Sequence, residues 1–212
     1  GSATVYVIDP ESQVQNAIYD LVSAMGLHCI TCATGHEFFA EYDASESGCV
    51  VLEVKLPDMS GLQIQRQLQA DGMRPPLVYL SAQTDISLAV ELFRRGAVHY
   101  LQKPLQPLEL IGAVLEALAV DKSHREAVRQ QQEVAEAIAV LTAKERRMLR
   151  LIADGQSNVE IASELKISLR TVTLYRTQVA RKLRIASPNG LIRFALLANQ
   201  NDGQSMCPQL SM

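Results

Sequence analysis

The chain has 212 residues, 48% of them hydrophobic, enough for one large domain or two small ones with packed cores. No apolar run approaches the ~20 residues of a membrane-spanning helix, and no signal-peptide pattern opens the chain, so a cytoplasmic protein without a membrane partner is expected. The net charge of −3 hides an asymmetry: residues 1–118 carry 6 Lys and Arg against 14 Asp and Glu, whereas residues 141–200 carry 11 against 4. An acidic front and a basic back predict two domains with different partners, the basic one suited to a polyanion.

In chain order, Val5 to Ile8 forms a short buried-type strand ending at Asp9-Pro10. Ser12-x-x-Gln15 has capping-box spacing and opens a helix through Ile18 and Val22, ended by Gly26. Cys29 to Cys32 is a second strand, and Thr34-x-x-Glu37 opens a second helix. The third strand, Cys49 to Glu53, is an apolar run closed by a carboxylate, after which Ser60-x-x-Gln63 opens a helix. Pro76 to Ser81 is the fourth strand, Ile86 to Arg95 the fourth helix, and Val98 to Gln102 the fifth strand, ending at Lys103-Pro104. Pro107 suits the first turn of a fifth helix. The cysteines (Cys29, Cys32, Cys49, Cys207) lack the spacing of a disulfide or zinc framework and are expected to be plain thiols.

Strands alternating with helices predict an α/β doubly wound, five-stranded parallel sheet. Parallel strands send their carboxyl ends to one edge, which gathers Asp9, Glu53, Ser81 and Lys103. Two carboxylates, a hydroxyl and an ammonium suit phosphoryl chemistry, since the acids hold a cation or accept the group and the donors bind its oxygens.

Residues 4–118 resemble the receiver domain of a two-component response regulator. The resemblance is carried by Val-Ile-Asp9, Leu-Glu53-Val-Lys-Leu-Pro57-Asp-Met-Ser-Gly61, Leu-Ser81-Ala82, Arg-Gly96-Ala97, Tyr100-Leu and Lys103-Pro104. It implies an aspartate acceptor phosphorylated with Mg²⁺ at the position of Glu53. It also implies a switch hydroxyl at Ser81, a switch aromatic at Tyr100, a phosphoryl-binding Lys103 and a cis Lys103–Pro104 bond. Two departures fall on the chemistry. Where the family has an adjacent acidic pair, this chain has Asp9-Pro10, and Pro10 offers Mg²⁺ no side-chain oxygen. Glu53 is one methylene longer than Asp, and misplacement by ~1 Å can cost ~100-fold in an in-line transfer. The expectation is a degenerate acceptor pocket that takes no cofactor and works without phosphorylation. Within it, Glu53 either imitates a phosphoryl group by pairing with Lys103 or silently neutralises it. Input through a protein or small ligand, and residual phosphoacceptor activity, stay open as alternatives.

Residues 119–140 contain neither Pro nor Gly and predict a helical linker that continues the fifth helix with a mostly solvated middle. Four short helices follow, opened by Thr142-x-x-Glu145, Ser157-x-x-Glu160, Ser168 and Ser187-Pro188. The second and third are separated only by Lys166-Ile167, a helix-turn-helix spacing. Val172, Val179 and Leu183 share the inner face of the third helix. Thr173, Arg176, Thr177 and Ala180 lie on another, with Arg181, Lys182 and Arg184 near its end, a pattern suited to a major groove.

Residues 141–198 resemble the LuxR-type DNA-binding domain through Leu-Thr142-x-x-Glu145-x-x-x-Leu149, Asp-Gly155-x-Ser-Asn158-x-Glu160-Ile161-Ala162, Leu-x-Ile167-Ser168-x-x-Thr171-Val172 and Lys182-Leu183. The resemblance implies double-stranded DNA as partner, with base contacts from Thr173, Leu174 and Thr177. Arg170, Arg176 and Lys182 are the candidate phosphate contacts, and homodimerisation through the fourth helix is implied on DNA. The expected domains are a receiver-like domain at 1–118, the linker at 119–140, the DNA-binding domain at 141–199 and a disordered tail at 200–212. The whole reads as a DNA-binding transcriptional regulator rather than an enzyme.

Overall fold

A computed structural model of the chain describes residues 3–83 and 85–204, with backbone only for 200–204. Two compact units divide between Arg125 and Glu126. In the first, strands β1 (Thr4–Ile8), β2 (His28–Cys32), β3 (Gly48–Glu53), β4 (Leu77–Ser81) and β5 (His99–Gln102) form a parallel sheet of order β2-β1-β3-β4-β5. β1, β3 and β4 are buried along their whole length, while the edge strands β2 and β5 are not. Burial on both faces is why the central strands are near-continuous apolar runs.

Alternate residues of those strands pack to opposite sides. Val5, Val7, Val51, Val78 and Leu80 meet helices α1 (Ser12–Ala24) and α5 (Pro107–Ala139) through Ile18, Val22, Leu110 and Val114. Tyr6, Ile8, Val50, Leu52 and Tyr79 meet α2 (Gly35–Glu41), α3 (Gly61–Ala70) and α4 (Ile86–Arg94) through Phe38, Ile64, Leu68 and Leu92. Each fully buried Val, Leu, Ile or Phe contributes on the order of 1.5–3 kcal/mol. The register aligns Ile8 with Leu52 and Glu53 with Leu80, so the strands' carboxyl ends form one level edge. The strand order reverses between β1 and β3, and the crevice outside their ends is where such sheets bind ligands. Gly61 begins α3 close against that edge: a Cβ there would lie 3.0 Å from the Glu53 carbonyl oxygen and 3.0 Å from the Tyr79 ring.

Most helix starts follow the sequence. Ser60, Thr142 and Ser157 each form a reciprocal capping box. α1 does not. Its N-cap is Glu11, whose side chain makes no capping bond, and Gln15 instead donates to the carbonyls of Asp9 (2.6 Å) and Cys32 (3.2 Å). The Ser12–Gln15 box is thus lost to a tertiary demand, since the β1 and β2 ends offer Gln15 acceptors. Cys29, Cys32 and Cys49 are buried free thiols. Desolvation raises the pKa values of Cys29 and Cys32 to about 11 and that of Cys49 to about 12.

The first unit extends past Leu118 because Asp121 and Arg125 of α5 bind the segment before β3. Arg125 donates to both Asp121 carboxylate oxygens (3.1 and 3.0 Å) and to the carbonyls of Ser45 (2.9 Å), Ala44 (3.0 Å) and Glu46. Asp121 also accepts from the Ser47 hydroxyl (2.6 Å) and the Gly48 amide (3.0 Å). Residues 126–133 of α5 are exposed, and Val134 is buried in the second unit.

That unit contains α6 (Ala143–Ala153), α7 (Asn158–Leu165), α8 (Leu169–Lys182) and α9 (Pro188–Gln204). They close over Met148, Leu149, Ile152, Ile161, Val172, Val179 and Leu191. α9 runs to Gln204, past the start of the tail expected at residue 200. The remainder of the expected tail lies outside the described residues.

Candidate functional site

The carboxyl edge of the sheet brings Asp9, Glu53, Ser81 and Lys103 into one neighbourhood. Asp9 is fully buried, and its Oδ1 accepts the Glu11 amide at 3.0 Å. The Lys103–Pro104 bond is cis, and the Lys103 amide donates to the Ser81 carbonyl (2.8 Å). The Lys103 ammonium lies 2.7 Å from Asp9 Oδ2, 2.9 Å from Glu53 Oε2 and 2.9 Å from Glu11 Oε1. Glu53 Oε1 also accepts the Lys55 amide at 3.3 Å. Burial alone would lower the Lys103 pKa, but hydrogen bonds to Asp9, Glu53 and Glu11 overcome it and raise the value.

Glu11 was not among the sequence candidates. Its signal was positional: Pro10 interrupts the acidic pair, and the next carboxylate one residue on reaches the same lysine. Pro10 itself is exposed. Ser81 does not meet Glu53; its hydroxyl donates to the Gln83 carbonyl (3.1 Å) and accepts the Gln83 amide (3.1 Å). Half-buried Tyr100 donates to the same carbonyl at 2.7 Å, and Lys55 donates to the Gln83 side chain at 3.0 Å. Gln83 is therefore the point where the segment after β4 is tied down.

These residues do not fit a Mg²⁺ ion. The ammonium already takes Asp9 Oδ2 and Glu53 Oε2, and Pro10 supplies no side-chain oxygen. What the arrangement does is hold one cation among three anions. A phosphoryl group placed on Glu53 would replace the single carboxylate charge with up to two, adding negative charge to a pocket with an anionic excess.

The second candidate surface is built on α7 and α8. Lys166 ends α7 in the left-handed region (φ 54°), which turns the chain sharply, and Ser168 caps α8 by accepting the Thr171 amide. Val172 and Val179 are fully buried, which fixes the rotation of α8. Arg170, Thr173, Leu174, Thr177 and Arg181 then fall on its exposed face at spacings of three, four and seven. The Thr173 and Thr177 hydroxyls donate to the carbonyls four residues earlier, at 3.2 and 3.0 Å. Arg176 and Lys182 are engaged elsewhere. Arg176 donates to Asn158 (2.7 Å), and Lys182 pairs with the carboxylate of buried Glu145 (2.8 Å). Burial would raise the Glu145 pKa, but bonds from Lys182 and Thr142 lower it.

Comparison with known proteins identifies both domains. Residues 5–115 match the response regulator receiver domain, and residues 139–195 match the bacterial regulatory proteins of the luxR family. The response regulator protein TodT of Pseudomonas putida is 32% identical over 192 residues, covering 91% of this chain and 85% of that protein. The transcriptional regulatory protein FixJ of Azorhizobium caulinodans is 33% identical over 197 residues, 93% of each chain. Among solved structures, the response regulator StyR superposes with a TM-score of 0.80 at 29% identity, over 92% of this chain and 98% of its own. Full-length FixJ from B. japonicum gives 0.56 at 27%, over 93% and 98%. The chain belongs to the response regulators that join a receiver domain to a LuxR-type DNA-binding domain, and is a transcriptional regulator rather than an enzyme.

Proposed function

We propose that this regulator binds double-stranded DNA as a homodimer and that its receiver works without phosphorylation, with Glu53 as a fixed counter-charge. The observation that carries this is the Glu53 carboxylate 2.9 Å from Lys103, on an ammonium already shared with Asp9 and Glu11. The lysine that would bind a phosphoryl group is saturated by side chains the protein supplies itself. Tyr100 and Ser81 both rest on the Gln83 carbonyl.

The exposed face of α8 supplies Thr173, Leu174 and Thr177 toward base edges and Arg170 toward phosphates. Arg176 and Lys182 act on DNA only insofar as they release Asn158 and Glu145. Exposed Ile192, Leu196 and Leu197 on α9 support pairing through that helix. Among the described residues no helix is long and apolar enough to cross a membrane, and we place the protein in the cytoplasm.

The test is to incubate the protein with acetyl phosphate and Mg²⁺ and weigh it intact. No added phosphoryl mass is expected, and an adduct on Glu53 or Asp9 overturns the reading. Alongside, duplex affinity and oligomeric state are compared for the unmodified protein, Glu53→Gln and Glu53→Asp. A changed affinity in Glu53→Gln identifies the charge as a signal, and an unchanged one identifies it as silent.

A further inference from the structure

At the opposite edge of the sheet lies a cavity of about 270 Å³ that plays no part in the acceptor pocket. Its apolar lining is Leu68 of α3, Met73 and Pro75 from the following loop, Leu77 opening β4, Val98 before β5, and Val120 of α5, with Gln69 among the polar residues beside them. Its basic side chains are Arg74, Arg95 and His124, and no carboxylate lines it. Arg95 is paired with Glu91 at 2.7 Å. Arg74 and His124 have no ion-pair partner among the described residues. Gln65, also in the lining, is spent internally: it donates to the Arg95 carbonyl and accepts the Tyr79 hydroxyl.

An apolar hollow with an uncompensated guanidinium at its mouth selects a ligand of matching polarity. Its volume exceeds the ~150 Å³ of a cavity that takes up benzene and falls just below the ~300 Å³ of small ligand pockets. We propose that it binds a small monocarboxylate with an apolar body, the carboxylate on Arg74 and the body against Met73, Leu77, Val98 and Val120. This rests on the reading that the receiver takes its input otherwise than by phosphorylation, and it names that input. The placement suits the role. Val120 and His124 line the cavity, while the adjacent Asp121 and Arg125 grip the segment before β3. Occupancy therefore bears directly on α5, which runs on to Ala139.

The test uses the full chain and three probes of equal length: hexanoate, hexylammonium and hexan-1-ol, titrated while amide NMR spectra are recorded. Hexanoate is expected to saturate with shifts centred on Met73, Val98 and Val120, and hexylammonium to give none. Arg74→Gln, on an exposed side chain, should weaken hexanoate about tenfold or more, the loss of one charge-assisted contact, and leave hexan-1-ol unchanged. Saturating hexanoate should also change duplex affinity severalfold. Equal response to hexanoate and hexylammonium, shifts centred elsewhere, or an unchanged Arg74→Gln titration overturns the site. Binding with constant duplex affinity overturns the input role. Neither result depends on whether acetyl phosphate modifies Glu53, so the site and the phosphorylation-independent reading fail separately.

Discussion

At the level of single residues, Lys103 is the most consequential side chain of the receiver. Three carboxylates share its ammonium, so removing the cation and removing one anion are unequal changes. Lys103→Met leaves buried Asp9 and Glu53 facing each other uncompensated and should cost ~3 kcal/mol or more in denaturant unfolding. Adding Glu53→Gln to that variant should restore part of the loss, and strict additivity of the two changes would refute the shared-cation geometry. Because the folded pKa of Lys103 is raised, its contribution is complete below its unfolded value of about 10.4 and disappears only at more alkaline pH. Asp58 acts in the other direction. Burial would raise its pKa, but the Gly35 and His36 amides and the His36 ring lower it to about 2. Its contribution is present above the unfolded value of about 3.9 and is lost as pH falls toward 2. Asp58→Asn should therefore flatten the decline of stability between about pH 4 and pH 2, read from urea midpoints across that range.

Among the elements, α5 shows how a helix with little sequence patterning is fixed in place. The Arg125 guanidinium spans Asp121 and three successive carbonyls, a task for a planar fork of five donors. Arg125→Ala should destabilise the receiver unit by ~2 kcal/mol. Arg125→Lys should recover little of it, since an ammonium cannot span the same acceptors. In α8, the residues chosen from the sequence as DNA contacts separate into two kinds. Lys182→Ala should lower the stability of the second unit by ~1–2 kcal/mol, because buried Glu145 loses its cation. Arg170→Ala, on an exposed side chain, should weaken duplex binding and leave the unfolding midpoint unmoved. The reverse pattern would reassign both.

For the whole molecule, the division of charge predicts how DNA binding responds to solution conditions. Residues 141–200 carry 11 Lys and Arg against 4 Asp and Glu. Affinity for duplex DNA should fall steeply with added salt, as neutralised phosphates release their counterions. The acidic receiver has no such attraction to DNA. Removing Arg170 or Arg181 should make the salt slope shallower by about one unit each, and Lys182 less, because Glu145 already neutralises it.

The sequence alone determined the elements and their edge: apolar strand runs closed by Asp9, Glu53, Ser81 and Lys103, and capping residues that open α3, α6, α7 and α8. These signals are local, set by backbone hydrogen bonding and by the periodicity of burial. Tertiary structure decided which polar groups meet. Glu11 reaches Lys103 across 92 positions, Gln15 gives up its cap for the β2 end, and Arg125 finds carbonyls about eighty residues back in the chain. Ser81 and Tyr100 converge on the carbonyl of Gln83, a backbone atom that no residue type announces. Charges and donors act over a few ångströms irrespective of sequence separation, so their partners exist only once the strands are in register.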